Sequence, residues 1–213
     1  MADQKALTRI LGLITTVTLF VVALFAPSVQ AEPTSTTAQA ILAGGCFWCV
    51  EHDLRQLPGV IDVVSGYTGG SRPNPTYEDY HDVDAANPVP HVEAVRATYD
   101  PSRLSYAGLL DYYYRHIDPT DGGGQFCDRG PSYRPVVFVA SKSERETAEA
   151  KKAEVARLLK QDVAVEVLDA RTFWPAEDYH QDYAAKNPLR YKYYRWNCGR
   201  DQRVEAVWRA AQR

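Results

Sequence analysis

The chain has 213 residues, a formal net charge of −3, 45% hydrophobic residues and four cysteines. That length suffices for one domain with a substantial core and needs no disulfide staples, which excludes a small cysteine-framework protein. The mildly acidic balance gives no electrostatic case for nucleic-acid binding, and Arg195, Arg200, Arg203, Arg209 and Arg213 alternate with aromatic and acidic residues as on a solvated helix face.

In chain order, Lys5 and Arg9 precede an apolar run over 10–26, and the small-residue pattern Val29-Gln30-Ala31 allows cleavage before Glu32. Residues 1–31 therefore read as a secretory signal peptide and 32–213 as a single domain in the periplasm or outside the cell. The alternative is an uncleaved anchor facing the periplasm, because the run is near the lower limit for spanning a bilayer.

A strand over 40–44 ends in Gly44-Gly45, and Phe47, Val50, Leu54 and Leu57 then recur at helical spacing in a helix over 46–57, stopped by Pro58-Gly59. Cys46 falls in the first turn of that helix, where unpaired N–H groups and the positive end of the dipole favour a thiolate. Phe47 and Trp48 put an aromatic wall beside the sulfur, suited to an apolar group. Strands over 60–67 and 91–99 follow with no helix between them, then a helix over 105–117 and a strand over 135–141. Next come a helix over 143–160 opening on the capping-box pattern Ser143-x-x-Glu146, a strand over 163–169, and helices over 177–186 and 201–211. This irregular alternation predicts an α+β domain with a mixed sheet and helices on its face.

Period 2 along 91–99 sets Glu93 on one face with Val95, Ala97 and Tyr99. A carboxyl among apolar neighbours has a raised pKa and can serve as a proton donor near neutral pH. No metal site is expected, since Cys127 and Cys198 are each isolated from the Cys46-x-x-Cys49 pair and the histidines at 52, 81, 91, 116 and 180 form no ligand motif. His180 reads as a packing residue. The Cys-x-x-Cys spacing also fits a thioredoxin-like disulfide oxidoreductase, but Phe47 and Trp48 between the thiols are ill suited to admitting bulky protein disulfides.

The string Gly44-Gly45-Cys46-Phe47-Trp48-Cys49-Val50-Glu51 resembles the active-site signature of the A-type peptide methionine sulfoxide reductases. The resemblance continues through Gln56-Leu57-Pro58-Gly59-Val60, Gly66-Tyr67-Thr68-Gly69-Gly70, Asn74-Pro75-Thr76-Tyr77, His91-Val92-Glu93-Ala94-Val95 and Tyr99-Asp100-Pro101. Beyond them it includes His116-Ile117-Asp118-Pro119, the Asp128 to Arg134 loop, Ala176-Glu177-Asp178-Tyr179-His180-Gln181 and Asn187-Pro188. It implies a ferredoxin-like two-layer sandwich with a mixed sheet and additional helices. It also implies thiol-dependent reduction of methionine S-sulfoxide, free or in peptides and proteins, by a monomer without a bound cofactor.

On the matched positions, Cys46 is the nucleophile that becomes a sulfenic acid and Glu93 the catalytic acid. Tyr77 and Tyr133 bind the sulfoxide oxygen, Phe47 and Trp48 hold the S-methyl group, and Asp128 contacts the substrate or orients the site. The resemblance favours Cys198, on a mobile C-terminal tail, as the thiol that resolves the sulfenic acid. Cys49 and Cys127 remain open as alternatives, and a thioredoxin-like protein is the expected reductant.

Overall fold

A computed structural model describes residues 36–210, so the segment read as a signal peptide lies outside the described residues. Strand β1 (Ala38–Ala43) ends at the two glycines. Gly45 has φ +78°, and a Cβ there would lie 2.5 Å from Gln125, so only glycine fits this turn without displacing its neighbour. The turn launches α1 (Phe47–Arg55), which buries Phe47, Val50 and Leu54 at the spacing the sequence shows. Leu54 is 1% exposed, and truncation to alanine would cost about 2–5 kcal/mol.

Strand β2 (Val60–Thr68) runs back antiparallel to β3 (Val92–Tyr99), with Tyr67 opposite Glu93. Helix α2 (Tyr106–Tyr114) is capped by Ser105, whose hydroxyl accepts from the Gly108 N–H at 3.1 Å. An irregular stretch then carries the two-residue strands β4 (Gly124–Gln125) and β5 (Asp128–Arg129) and a 3₁₀ turn at Pro131–Tyr133. Strand β6 (Val136–Val139), α3 (Lys142–Leu159), β7 (Glu166–Asp169) and β8 (Trp174–Pro175) follow, and the described chain closes with α4 (Tyr183–Lys186), α5 (Pro188–Asn197) and α6 (Arg200–Ala210).

The main sheet has the order β7-β6-β1-β3-β2-β8. Every pairing in it is antiparallel except β6 with β7. Its inner strands β6-β1-β3-β2, linked through α1 and α2, form the expected ferredoxin-like unit, and the mixed character enters at the β7 edge. Along β3 the predicted alternation holds. Val95, Ala97 and Tyr99 join the core that includes Phe47, Val50, Leu54, Leu109 and Tyr113 of the helices, whereas Val92 and Ala94 pack with Ala43, Val136 and Phe138 on the other face. Glu93 is therefore at the end of the helix-covered face.

Differences from the sequence reading have local causes. The cap of helix α3 lies two residues before the expected one, because the Ser141 hydroxyl accepts from the Glu144 N–H at 3.2 Å while Glu144 accepts from the Ala140 N–H at 2.7 Å. The helix predicted over 177–186 is reduced to α4. Ahead of it Glu177 and Gln181 bond to Tyr67, Tyr77 and Ser65 instead of extending a helix, and Asp182 sits at φ +53°. Helix α5 was not anticipated, since of its ten residues only Tyr191 is buried.

The C-terminal region is a docked corner, with Cys198 at the end of α5 and α6 packed after it, and so is no mobile tail among the described residues. Nor are its arginines all on a solvated face. Arg200 is 2% exposed and donates to the Gly44 and His116 carbonyls, and Arg195 donates to Asp53 of α1 at 2.7 Å.

Candidate active site

Cys46 occupies the N-cap of α1, one residue before the first turn, with φ −49° and ψ 118°. Its carbonyl accepts the Cys49 N–H at 3.1 Å, and the positive end of the dipole faces carboxyls already at this helix start. Phe47 N–H donates to Glu93 Oε2 at 2.9 Å, and the Asp128 carboxyl lines the same cavity beside Cys46. The dipole argument for a resting thiolate therefore fails. Burial pushes the Cys46 thiol well above the ordinary range, and the neighbouring Cys49 sulfur and the Glu93 and Asp128 carboxyls add to the effect. Cys49, hydrogen-bonded to Cys46, moves the opposite way; that bond pulls its pKa down against its own burial, and Arg200 and Arg195 help.

Glu93 is 3% exposed and is pushed up to about 8 by burial, which outweighs the bonds from Phe47 and Tyr80. The carboxyl that the strand pattern singled out is thus buried at the edge of the site, with its pKa above neutral. Tyr80 joins it to Tyr133, its hydroxyl lying 3.1 Å from Glu93 Oε1 and 3.0 Å from the Tyr133 hydroxyl. Having one proton, Tyr80 donates to one of these oxygens and accepts at the other. Burial raises the pKa of Tyr80, Tyr133 and Tyr77, so all three are neutral phenols able to donate.

A cavity of about 80 Å³ is lined by Cys46, Phe47, Trp48, Tyr77, Glu93, Asp128, Tyr133 and Tyr194. The structure thus brings together in one cavity the cysteine, carboxyl, two tyrosines, aromatic pair and aspartate singled out in the sequence. Trp48 is fixed from two sides. It stacks on Tyr183 with ring centroids 3.6 Å apart, and its indole N–H donates to His180 Nδ1 at 3.0 Å, which assigns the ring proton of that buried histidine to Nε2. Glu177 steadies the far wall by accepting from Tyr67 hydroxyl and Tyr77 N–H.

Tyr80 and Tyr194 are the site residues the sequence reading missed. Tyr80 lies three residues beyond the matched Tyr77, and Tyr194 lies in the unanticipated α5; among 14 tyrosines neither carried a signal. Tyr194 donates to Asp128 Oδ2 at 2.5 Å and meets Trp48 edge-on, so the docked corner supplies one wall of the cavity.

The three candidate resolving thiols are placed very differently. Cys49 is buried against Cys46. Cys198 is joined not to Cys46 but to Cys127, in a disulfide that ties the Asp128 loop to the α5–α6 corner. Both of its sulfurs lie within 4.8 Å of an Asp128 carboxylate oxygen.

A buried thiol facing a protonated carboxyl and phenols, with an aromatic slot between them, can bind a small polarised oxygen while sulfur is attacked. Comparisons with known proteins agree. The family model described as peptide methionine sulfoxide reductase matches residues 38–212. The chain is 52% identical to peptide methionine sulfoxide reductase MsrA 2 of Caulobacter vibrioides, over 86% of this chain and 90% of that one. It is 46% identical to the MsrA 2 of Rhizobium meliloti, over 87% and 88%. Among solved structures it resembles methionine sulfoxide reductase A of Corynebacterium diphtheriae, at 30% identity and a TM-score of 0.62, covering 75% of this chain and 78% of that one. The chain belongs to the peptide methionine sulfoxide reductase family, A type, and is a peptide-methionine (S)-S-oxide reductase.

Proposed function

We propose that the cavity reduces methionine S-sulfoxide with the following division of labour. The S-methyl group lies against Phe47 and Trp48, and the sulfoxide oxygen faces Glu93, Tyr77 and Tyr133. As the Cys46 sulfur attacks the substrate sulfur, Glu93 gives its proton to the oxygen and is reprotonated by the Cys46 thiol. The oxygen passes to Cys46 as a sulfenic acid and methionine leaves, so thiol plus sulfoxide becomes sulfenic acid plus thioether. Asp128 orients this arrangement through its bond to Tyr194, the other wall of the cavity. One observation carries the reading: a buried carboxyl, pushed up to about 8, accepts the N–H of the residue next to the cysteine in the cavity that holds both. Turnover of the two methionine sulfoxide epimers with dithiothreitol tests it, and the S epimer alone is expected to react.

For the second half-reaction the placement of the thiols favours Cys49. Its sulfur attacks the Cys46 sulfur, a Cys46–Cys49 disulfide forms, and the hydroxyl leaves with the Cys49 proton as water. Cys198, the thiol favoured by resemblance, then acts one step later. After a thioredoxin-like dithiol has reduced the Cys127–Cys198 bond, that pair exchanges with Cys46–Cys49 and is itself reoxidised. Exposure supports this order, because Cys127 is open to solvent whereas Cys46 and Cys49 are 6% and 2% exposed. Export through the 1–31 segment fits a chain that carries a disulfide; the N-terminal sequence of the exported protein is expected to begin at Glu32.

A further inference from the structure

The catalytic cavity, at about 80 Å³, has room for roughly three water-sized groups. The methyl, sulfur and oxygen of a sulfoxide fill it, so the main chain of the substrate residue must lie outside. Beside it, and sharing Tyr133 as a wall, is an open groove of about 320 Å³ between the segment around His81 and the Arg129 to Tyr133 turn. Its sides are largely apolar. Tyr80, Val83, Pro90 and Pro131 line it, and Val83 leaves 60% of its surface exposed at the groove. The floor is clear as well, since a Cβ added at Gly130 would meet nothing within 4 Å.

We propose that this groove is a subsite within the substrate polypeptide's path: it takes the residue flanking the methionine sulfoxide and prefers an apolar one. The inference rests on the reductase reading of the cavity and deepens it. A free amino acid ends where the groove begins, whereas an extended chain whose sulfoxide is seated beside Tyr133 continues into it. An apolar flanking side chain would cover Val83, removing both apolar surfaces from water.

A second opening, on the Trp48 side, is lined by Glu51, Arg55, Asp182 and Ala185 and offers the competing path. Substitution of exposed positions separates the two without touching the machinery. Steady-state kinetics of the full enzyme with dithiothreitol are measured on free methionine S-sulfoxide and on a blocked peptide with leucine on both sides of the sulfoxide. Val83→Asp should raise KM for the peptide and lower kcat/KM about tenfold, the equivalent of losing part of one aliphatic contact, with kcat and the free amino acid unaffected. Ala185→Asp should change neither substrate. Equal kinetics of Val83→Asp and the parent enzyme on the peptide would overturn the subsite, as would a peptide-selective loss in Ala185→Asp instead. A parent enzyme inert toward both substrates would instead defeat the reductase reading.

Discussion

The two cysteine pairs divide the protein into regions with opposite demands. Cys46 and Cys49 start a regular helix, buried and one turn apart, with the Phe47 N–H between them bonded to Glu93. Cys127 and Cys198 lie 71 residues apart in sequence and join an irregular loop to a helical corner at the surface. The difference teaches that the chemical step and the return of electrons have separate requirements. Sulfoxide reduction needs a dry cavity with a protonated acid, whereas exchange with another protein needs an exposed sulfur. Asp128 touches both regions, lining the cavity with Cys46 and lying beside the surface disulfide.

The sharpest way to break this contrast is to remove the buried nucleophile. Cys46→Ser should abolish sulfoxide reduction with every reductant, because a hydroxyl neither attacks sulfur without a dedicated base nor carries the oxygen as a sulfenic acid; single-turnover release of methionine measures it. Next in size is Glu93→Gln, expected to lower kcat by about 10²-fold or more while KM changes little. The acid must be protonated to act, so activity of the parent enzyme should be full below pH 8 and fall as pH rises through about 8. The variant should lack that limb.

The surface pair should respond differently. Cys127→Ser and Cys198→Ser should retain turnover with dithiothreitol, which is small enough to reach the buried pair, but lose about tenfold or more with a thioredoxin-like protein. Equal loss with both reductants would place Cys198 in the buried chemistry instead. The smallest effect is expected at Tyr80. Its hydroxyl holds the Glu93 pKa down, so Tyr80→Phe should move the alkaline limb of the pH–rate profile upward with a modest fall in kcat.

Legibility in the sequence follows the same division. Strand alternation and helical spacing depend on burial of one face, so β1, α1, β2 and β3 were readable, and with them the positions of Cys46 and Glu93. The wall formed by Tyr80, Tyr194 and the Glu177 to Gln181 turn is set by long-range side-chain bonds such as Gln181 to Ser65 and Tyr194 to Asp128, which leave no period in the sequence. Resemblance located Tyr77, Tyr133 and Asp128 where periodicity could not. It did not anticipate the Cys127–Cys198 bond, because that pairing depends on how the α5–α6 corner docks. Nor did local reasoning give the resting state of Cys46. The helix start favours a thiolate, but burial, with the neighbouring Cys49 next in size, opposes it and prevails.

The most direct test of this division is disulfide mapping by mass spectrometry after the enzyme, with Cys46 and Cys49 reduced, has consumed one equivalent of methionine S-sulfoxide without reductant. The account predicts a Cys46–Cys49 bond with Cys127–Cys198 intact. A Cys46 sulfenic acid persisting beside a free Cys49 thiol, with Cys127–Cys198 intact, would contradict it and leave Cys198, once reduced, as the direct resolving thiol.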